Sequence, residues 1–519
     1  MSESRRIAVS TAVFGTATAV SRVAGVVREI IAAAVFGSST ALSAFNIAYN
    51  LPNLVRAVVA DNAIGGAFIP VFVELREKGE EREAWRVAGM VLWTTATLLT
   101  GLTALLMLLA PYYIPLFLAG QDNVSSDLVV TLTRILFPIV IVLGMTGVIT
   151  GILNADRIFG LPAFVPVIWN LVIILSLVYA ATSSPASHQV EIYAAGVLIA
   201  TVIQFLIPLP LLRARRSALA FRLGFGNPHV RRVLRLMLPV SLGLGLINFN
   251  LTLDTVIAAH VQDGRGPAYL NYAFRLFMLP QGLFSVAVST VLFPEISRRA
   301  AQHDLPGLGR MVADGTRTII FLLLPAAAVS IVMAEPIVRL LYQHGSFHAG
   351  DTSRVAWTLA MFSVGLLGNG LSLLLTRAFF GLQQPGVPTR VAAANLVLNL
   401  VLDLLLLRFG AAGIAASTAV VTSFNAIVLA ILLRRRVGSL RGSETARHAG
   451  RVVLATAYCT VAALIWIPLA SILGTGVLAT FLCVAAGLGA AGFCYLLSAR
   501  YLAIPEMAVL GSLLPRTRR

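Results

Sequence analysis

The sequence predicts an all-α polytopic membrane protein with about fourteen transmembrane helices, counted as apolar windows of about 20 residues. They form two six-helix lobes, related by a pseudo-two-fold axis along the membrane normal, plus a C-terminal helix pair. Three observations carry this. Mean hydropathy is +0.87, with 58% of residues hydrophobic and only 12% charged, a balance foreign to a water-soluble chain of 519 residues. Arginines gather in alternate connections between the apolar windows. The two groups of six windows share landmarks in the same order.

In chain order, the first six segments run from Ile7 to Leu212 and the next six from Val233 to Leu433; the last two run from Val452 to Ala499. The opening run exceeds the h-region of a signal peptide and lacks a convincing cleavage site, so it reads as the first span. The corresponding divisions are 1–215 for the N-terminal lobe, 216–232 for a linker, 233–436 for the C-terminal lobe, 437–451 for a second linker and 452–519 for the final pair and tail. The linker RARRSALAFRLGFGNPHVRR suits an amphipathic helix on the cytoplasmic surface.

Net charge is +17, which alone would suit a nucleic-acid partner. The arrangement argues against one. Arg5 and Arg6 precede the first span; Arg76, Lys78, Arg82 and Arg86 follow the second; Arg434 to Arg436 follow the twelfth. The alternate connections, among them GQDNVSSD and TSSPASHQVE, carry almost no basic residue. This is the positive-inside pattern, and it predicts an even number of spans with both termini cytoplasmic. Cys459, Cys483 and Cys494 all fall in the last apolar region, which gives neither a disulfide framework nor metal-ligand spacing.

The repeat is read from two co-ordered matches. Leu51-Pro52 precedes FIPVFVE as Leu279-Pro280 precedes LFPEIS, and Pro162 and Pro166 precede Asn170 as Pro385 and Pro388 precede Asn395. An even helix count per half keeps both halves in one orientation and places a binding site between them near the midplane. Shared small-residue and proline composition is the simpler alternative. The prolines suit bent or unwound helices, and Gly25 suits close helix approach.

Four arginines sit where hydrocarbon is expected. Arg22 and Arg28 lie in SRVAGVVREIIAAAVFG, Arg56 in LPNLVRAVVADN and Arg275 in NYAFRLFMLPQG. Arg22 is about 22 Å from Ile7 along a helix rising ~1.5 Å per residue. A charge at that depth costs at least ~2.5 kcal/mol, so such residues face a wet cavity or a partner. Guanidinium offers planar paired donors that stay charged, which suits a diphosphate headgroup. Snorkelling, or pairing of Arg28 with Glu29 and of Arg56 with Asp61, is the alternative.

A second constellation is acidic. Asp254 lies in INFNLTLDTVIAAHV; Asn399 and Asp403 are four apart in NLVLNLVLDLLLL, hence on one helix face, and Thr418 lies in GIAASTAV. Carboxylate, amide and hydroxyl oxygens are hard ligands that suit Na⁺. A buried Asp that carries H⁺ is the rival, and hydrogen bonding between helices the third reading.

SRVAGVVREIIAAAVFG, AFNIAYNLPNLVRAVVADNAIGGAFIPVFVE and NYAFRLFMLPQGLFSVAVSTVLFPEIS resemble the bacterial lipid II flippase family, the MurJ (MviN) branch of the multidrug/oligosaccharidyl-lipid/polysaccharide exporter superfamily. The resemblance covers essentially the whole chain. It implies a two-lobed, V-shaped transporter that carries lipid II, the undecaprenyl-pyrophosphate-linked disaccharide-pentapeptide, to the outer leaflet for peptidoglycan synthesis and cell-wall biogenesis. It implies Arg22, Arg28, Arg56 and Arg275 as cavity arginines and Asp61 as the acidic residue after LPN-R. It supports the Na⁺ or H⁺ assignment of Asp254, Asn399, Asp403 and Thr418, and gives the last helix pair to the polyprenyl tail. Membrane lipids and the cell-wall synthesis machinery are the partners it suggests. The chain departs from the family at Ser43, a position that is often acidic, which argues against an outer gate built on an acid–arginine contact there.

A flippase for another polyprenyl-pyrophosphate-linked oligosaccharide, of O-antigen or capsule type, is the alternative cargo reading. A cation-drug antiporter would need an acidic cavity in the arginine-bearing lobe. No Asp-x-Asp, Ser-x-x-Lys or P-loop pattern occurs in the short connections to suggest an enzyme.

Overall fold

Leucine, isoleucine, valine and alanine runs of this length satisfy their own backbone groups only as helices in an apolar solvent, and every described element is helical. The computed structural model describes residues 3–59, 62–155, 160–215, 219–474 and 476–507, with side chains described outside 3–19, 58–66, 155–163, 213–218 and 238–247. Among the described residues, ten helices are long and apolar enough to cross a membrane, or eleven with one bent pair. The fourteen read from hydropathy are not reached on these residues alone. Helices α1 (Glu3–Phe36), α2 (Thr40–Val59), α3 (Asn62–Glu77) and α9 (Pro228–Ala258) each contain stretches outside the side-chain description.

Two compact units divide the chain, Met1–Ala268 and Tyr269–Arg519. The first holds α1, α2, α3, α4 (Glu81–Phe117), α5 (Ser126–Leu136), α6 (Pro138–Ala155), α7 (Gly160–Ser183), α8 (Gln189–Leu206) and α9. Gly37 ends α1 in a left-handed conformation (φ 56°), its N–H bonded to the Ala33 carbonyl at 2.8 Å. A core of Phe68, Phe72, Trp85, Ile149 and Ile152 joins α3, α4 and α6, and Val230, Val233 and Met237 of α9 pack into the same cluster. Helix α9 also lies along α2, where Asn50 Nδ2 donates to Thr255 Oγ1 at 2.8 Å. Hydropathy counts α9 with the second group of six. Its packing puts it in the first unit.

The linker is not the continuous amphipathic helix expected. After a 3-10 stretch, Leu209–Arg215, residues 219–227 run as turns and bends. Trp93 Nε1 donates to the Leu219 carbonyl at 2.8 Å, and the Gly224 N–H donates to Thr94 Oγ1 at 2.9 Å. A Cβ on Gly224 would lie 2.7 Å from Val230 and 2.8 Å from Met90, so only glycine fits against α4 there. Asn227 then caps α9, its Oδ1 accepting from His229 N at 2.8 Å, with Pro228 at the first helical position. Gly224, Gly226 and Pro228 break the helical pattern that the charges suggest.

The second unit holds α10 (Gly266–Pro280, all but its first three residues), α11 (Val286–Ala301), α12 (Leu305–Val332), α13 (Ala334–Tyr342), α14 (Ala349–Val364), α15 (Leu366–Gly381), α16 (Gly386–Leu406), α17 (Ala411–Val437), α18 (Gly442–Ala463), α19 (Trp466–Leu473) and α20 (Val477–Tyr501). A π-helical turn, Gln281–Ser285, follows Pro280 and joins α10 to α11. Helices α14 and α15 bend by 42° at Gly365, where a Cβ would stand 2.6 Å from Ala419 Cα on α17. Helices α18 and α20 pack on α12 through Val452, Ala455, Cys459, Ala491 and Tyr495, and Tyr495 donates its hydroxyl proton to the Phe321 carbonyl at 2.6 Å. Gly487 meets Met333, so part of the small-residue stretch of α20 serves close packing, while Phe493 on its outer side is 69% exposed.

Candidate anion-binding site

Helix α1 presents its arginines differently. Arg22 is exposed, whereas Arg28 is 7% exposed and Glu29 beside it 8%. Arg28 Nη2 donates to Glu29 Oε1 at 2.5 Å and Nη1 to Asn170 Oδ1 on α7 at 3.2 Å. Its guanidinium lies over the Trp169 ring, 5.0 Å from the centroid. The Arg28 Nε finds no acceptor among the described residues.

Each holder of Arg28 is itself held. Asn170 Nδ2 donates to the carbonyls of Pro166 at 3.0 Å and Ser21 at 3.4 Å. Trp169 Nε1 donates to Thr201 Oγ1 of α8 at 3.1 Å. Asn170 lies one turn beyond Pro166 on α7, so its side-chain amide reaches back to that carbonyl. A Cβ on Gly25 would meet only Asn170 Oδ1, at 3.9 Å, an ordinary contact, so close approach of α1 to α7 does not demand glycine there.

Chemically this is a desolvated cation neutralised by a carboxylate, an amide and an aromatic face. Taking either charge out of water unpaired costs several kcal/mol, and the partners offset it. Arg56 is half-buried near the end of α2, four residues beyond Pro52. Arg22, Arg28 and Arg56 belong to the first unit. Arg275 is exposed on α10 in the second. Asp61 lies outside the described residues. Ser43 is fully buried in α2, a place where a carboxylate would need a partner.

The oxygen-rich residues divide too. Asp254, 5% exposed, is in the first unit; Asn399, Asp403 and Thr418 are in the second. Asn399 Nδ2 donates to Asp403 Oδ2 at 2.8 Å, both fully buried in α16. Ser417 of α17 reaches the same amide, its Oγ 3.4 Å from Asn399 Oδ1 and 3.3 Å from the Asn399 carbonyl. The hydroxyl of Thr418, next along α17, donates to the Ile414 carbonyl at 3.2 Å. Among the described residues, no group of three or more His, Cys, Asp or Glu side chains gathers as a metal site. An oxygen set of amide, carboxylate and hydroxyl fits a hard monovalent ion better than zinc or iron.

Sequence reading missed the roles of Trp169 and Ser417. Asn170 stood out only as a repeat landmark. Its spacing from Pro166 gives a local signal, but its contact with Arg28 spans 142 residues and has none.

The family model described as "Lipid II flippase MurJ" matches residues 32–486. A relative from Burkholderia cenocepacia, named lipid II flippase MurJ, is 30% identical over 433 residues, covering 81% of this chain and 82% of its own. A relative from Rhizobium meliloti, named probable lipid II flippase MurJ, is 32% identical over 80% of this chain and 79% of its own. Among solved structures, a lipid II flippase MurJ in an inward closed conformation matches 94% of this chain and 99% of its own, with a TM-score of 0.76 at 22% identity. An inward-facing multidrug resistance MATE family transporter of the MOP superfamily matches 81% of this chain with a TM-score of 0.68 at 15% identity. The two structural matches speak for the fold alone. On the family model and the two sequence relatives, this multi-pass membrane protein belongs to the lipid II flippase MurJ family.

Proposed function

We propose that the protein is a lipid II flippase of the bacterial cytoplasmic membrane. It carries undecaprenyl-pyrophosphate-linked disaccharide-pentapeptide from the inner to the outer leaflet by alternating access, and makes or breaks no covalent bond. Family membership favours this cargo over O-antigen or capsule precursors.

The observation that carries the chemistry is Arg28: a permanent cation, buried in a membrane helix and held by exchangeable acceptors. A diphosphate has more charge and more acceptor oxygens than the Glu29 carboxylate, so it competes for the same donors, against the cost of its own desolvation and of parting Glu29 from the guanidinium. Arg22, Arg56 and Arg275 supply further charge along the route. Arg22→Ala, Arg28→Ala, Arg56→Ala and Arg275→Ala should each cripple complementation of flippase-depleted cells at normal membrane levels. Wild-type growth from all four refutes the assignment.

Asn399, Asp403 and Thr418 of the second unit are assigned to a coupling ion, Na⁺ or H⁺, with Ser417 supporting the Asn399 amide, and Asp254 of the first unit is assigned to ion coupling separately. Both termini are placed in the cytoplasm on the arginine distribution.

A further inference from the structure

We infer that Asn395 and Asn425 form a transit subsite for the coupling ion: two neutral amides, on the inner side of Asn399 and Asp403, that pass Na⁺ toward the cytoplasm. The inference deepens the assignment of Asn399 and Asp403 to a coupling ion and rests on it.

Helix α16 has two unlike faces. Val397, Leu400, Val401 and Leu404 are exposed, whereas Asn395, Asn399 and Asp403 recur every four residues on the opposite side. The three polar residues span about 12 Å of helix at ~1.5 Å per residue. Their face meets α17. There Ser417 reaches Asn399, and Asn425, further along, takes a hydrogen bond at its Oδ1 from Asn395 Nδ2 at 2.8 Å. Asn425 lies on the Arg434–Arg436 side of Ser417, the cytoplasmic side on the arginine distribution.

The oxygens of this pair point to a cation. Asn395 Oδ1 is buried and accepts from no donor among the described residues. A plain interhelical clamp would not strand an acceptor, because a buried oxygen without a donor is costly. The first unit shows what an oxygen so placed can take. Asn170 is the repeat landmark that matches Asn395, and both are followed by Leu-Val. Its Oδ1 accepts from the Arg28 guanidinium at 3.2 Å. The corresponding oxygen in the second unit can serve a mobile cation where the first serves a fixed one.

The pair can also change hands. Half a turn of the Asn395 amide exchanges its oxygen and nitrogen, which are alike in size. Two carbonyl oxygens then converge, and they repel one another unless a cation lies between them. One arrangement thus holds the ion, and the N–H···O bond closes the pair without it. Amide oxygens are hard ligands that suit Na⁺. Neither amide carries charge, so the hold is weak, which suits passage rather than storage. Nor does an amide titrate near neutral pH, so the subsite passes Na⁺ and not H⁺.

The test measures exchange of radiolabelled Na⁺ across proteoliposomes that hold the full-length protein with lipid II in both leaflets. Every crossing then includes release at the cytoplasmic end. Leucine matches asparagine in size, and replacing both partners of a hydrogen bond is nearly neutral, so Asn395→Leu/Asn425→Leu should keep the wild-type Tm. Exchange should slow about ten- to a hundredfold, the size of one lost contact to a charge. Equilibrium Na⁺ affinity of the purified variant should stay within about threefold of wild type, because Asn399 and Asp403 remain. Asn395→Ala should slow exchange in the same direction if the double variant fails to fold. Wild-type exchange in either folded variant overturns the subsite. An affinity that falls in step with the rate also overturns it, for the pair would then only shape the Asp403 site. Asp403→Asn should abolish Na⁺ binding; wild-type binding in that variant, or none in the wild type, overturns the underlying assignment and the subsite with it.

Discussion

The Arg28–Glu29 pair predicts its own thermodynamics. Its side chains are 9% and 11% exposed, so removal of one charge strands the other away from water. Glu29→Gln leaves the guanidinium with Asn170 and the Trp169 face, which retain part of the stabilisation. The expected cost is therefore at the low end for a broken buried pair, about 3 kcal/mol. Arg28→Met takes the guanidinium from the carboxylate at a similar cost, about 3 kcal/mol. The double variant replaces both charges with neutral side chains of similar volume and should cost less than either single variant, about 1–2 kcal/mol, since no buried charge is then left uncompensated. Unfolding in mixed micelles titrated with SDS, followed by tryptophan fluorescence, reads all three. A coupling energy of at least about 2 kcal/mol is expected. The double variant should fold yet fail to complement, because the anion-binding guanidinium is gone. Single variants that cost under about 1 kcal/mol each and simply add would refute the reasoning, for the pair would then be hydrated.

Further predictions follow the same logic. A Cβ on Gly368 would stand 2.7 Å from Ser423 Cα, so Gly368→Ala should push α15 off α17 and destabilise by about 1–3 kcal/mol in the same titration. Asp304 caps α12 through the Gly307 N–H at 2.8 Å and pairs with Arg299 at 2.9 Å; the N–H bond and then the arginine hold its carboxyl below the ordinary value of 3.8. A depressed carboxyl contributes stability above its unfolded pKa and loses it as pH falls through the folded one. The Tm gap between wild type and Asp304→Ala should accordingly be full at pH 7 and close only below pH 3.8. Asp403→Asn should abolish Na⁺ or pH dependence of transport in proteoliposomes; an unchanged dependence removes this residue from the coupling site.

The all-helical membrane class was legible because hydropathy and arginine placement report directly on the solvent. The Arg28–Glu29 pair was legible as the alternative to an open cavity arginine, because the partners are adjacent. What escaped were contacts that only the fold creates. Asn170 and Trp169 meet Arg28 from α7, and Ser417 reaches the Asn399 amide from α17, contacts set by helix rotation that spacing alone leaves open. The linker misled because its charges suggest an amphipathic helix while Gly224, Gly226 and Pro228 forbid one. Helix α9 packs on α2 and α3 within the first unit, and hydropathy, which marks a span, carries no record of which helices it packs against.

A leaflet-resolved assay of lipid II in the native host tests the central claim most directly. After depletion of the wild-type protein, cells that express Arg28→Ala at normal membrane levels should accumulate lipid II on the cytoplasmic side, and re-expression of the wild type should clear it. An unaltered distribution of lipid II across the two leaflets in the depleted cells would contradict the account.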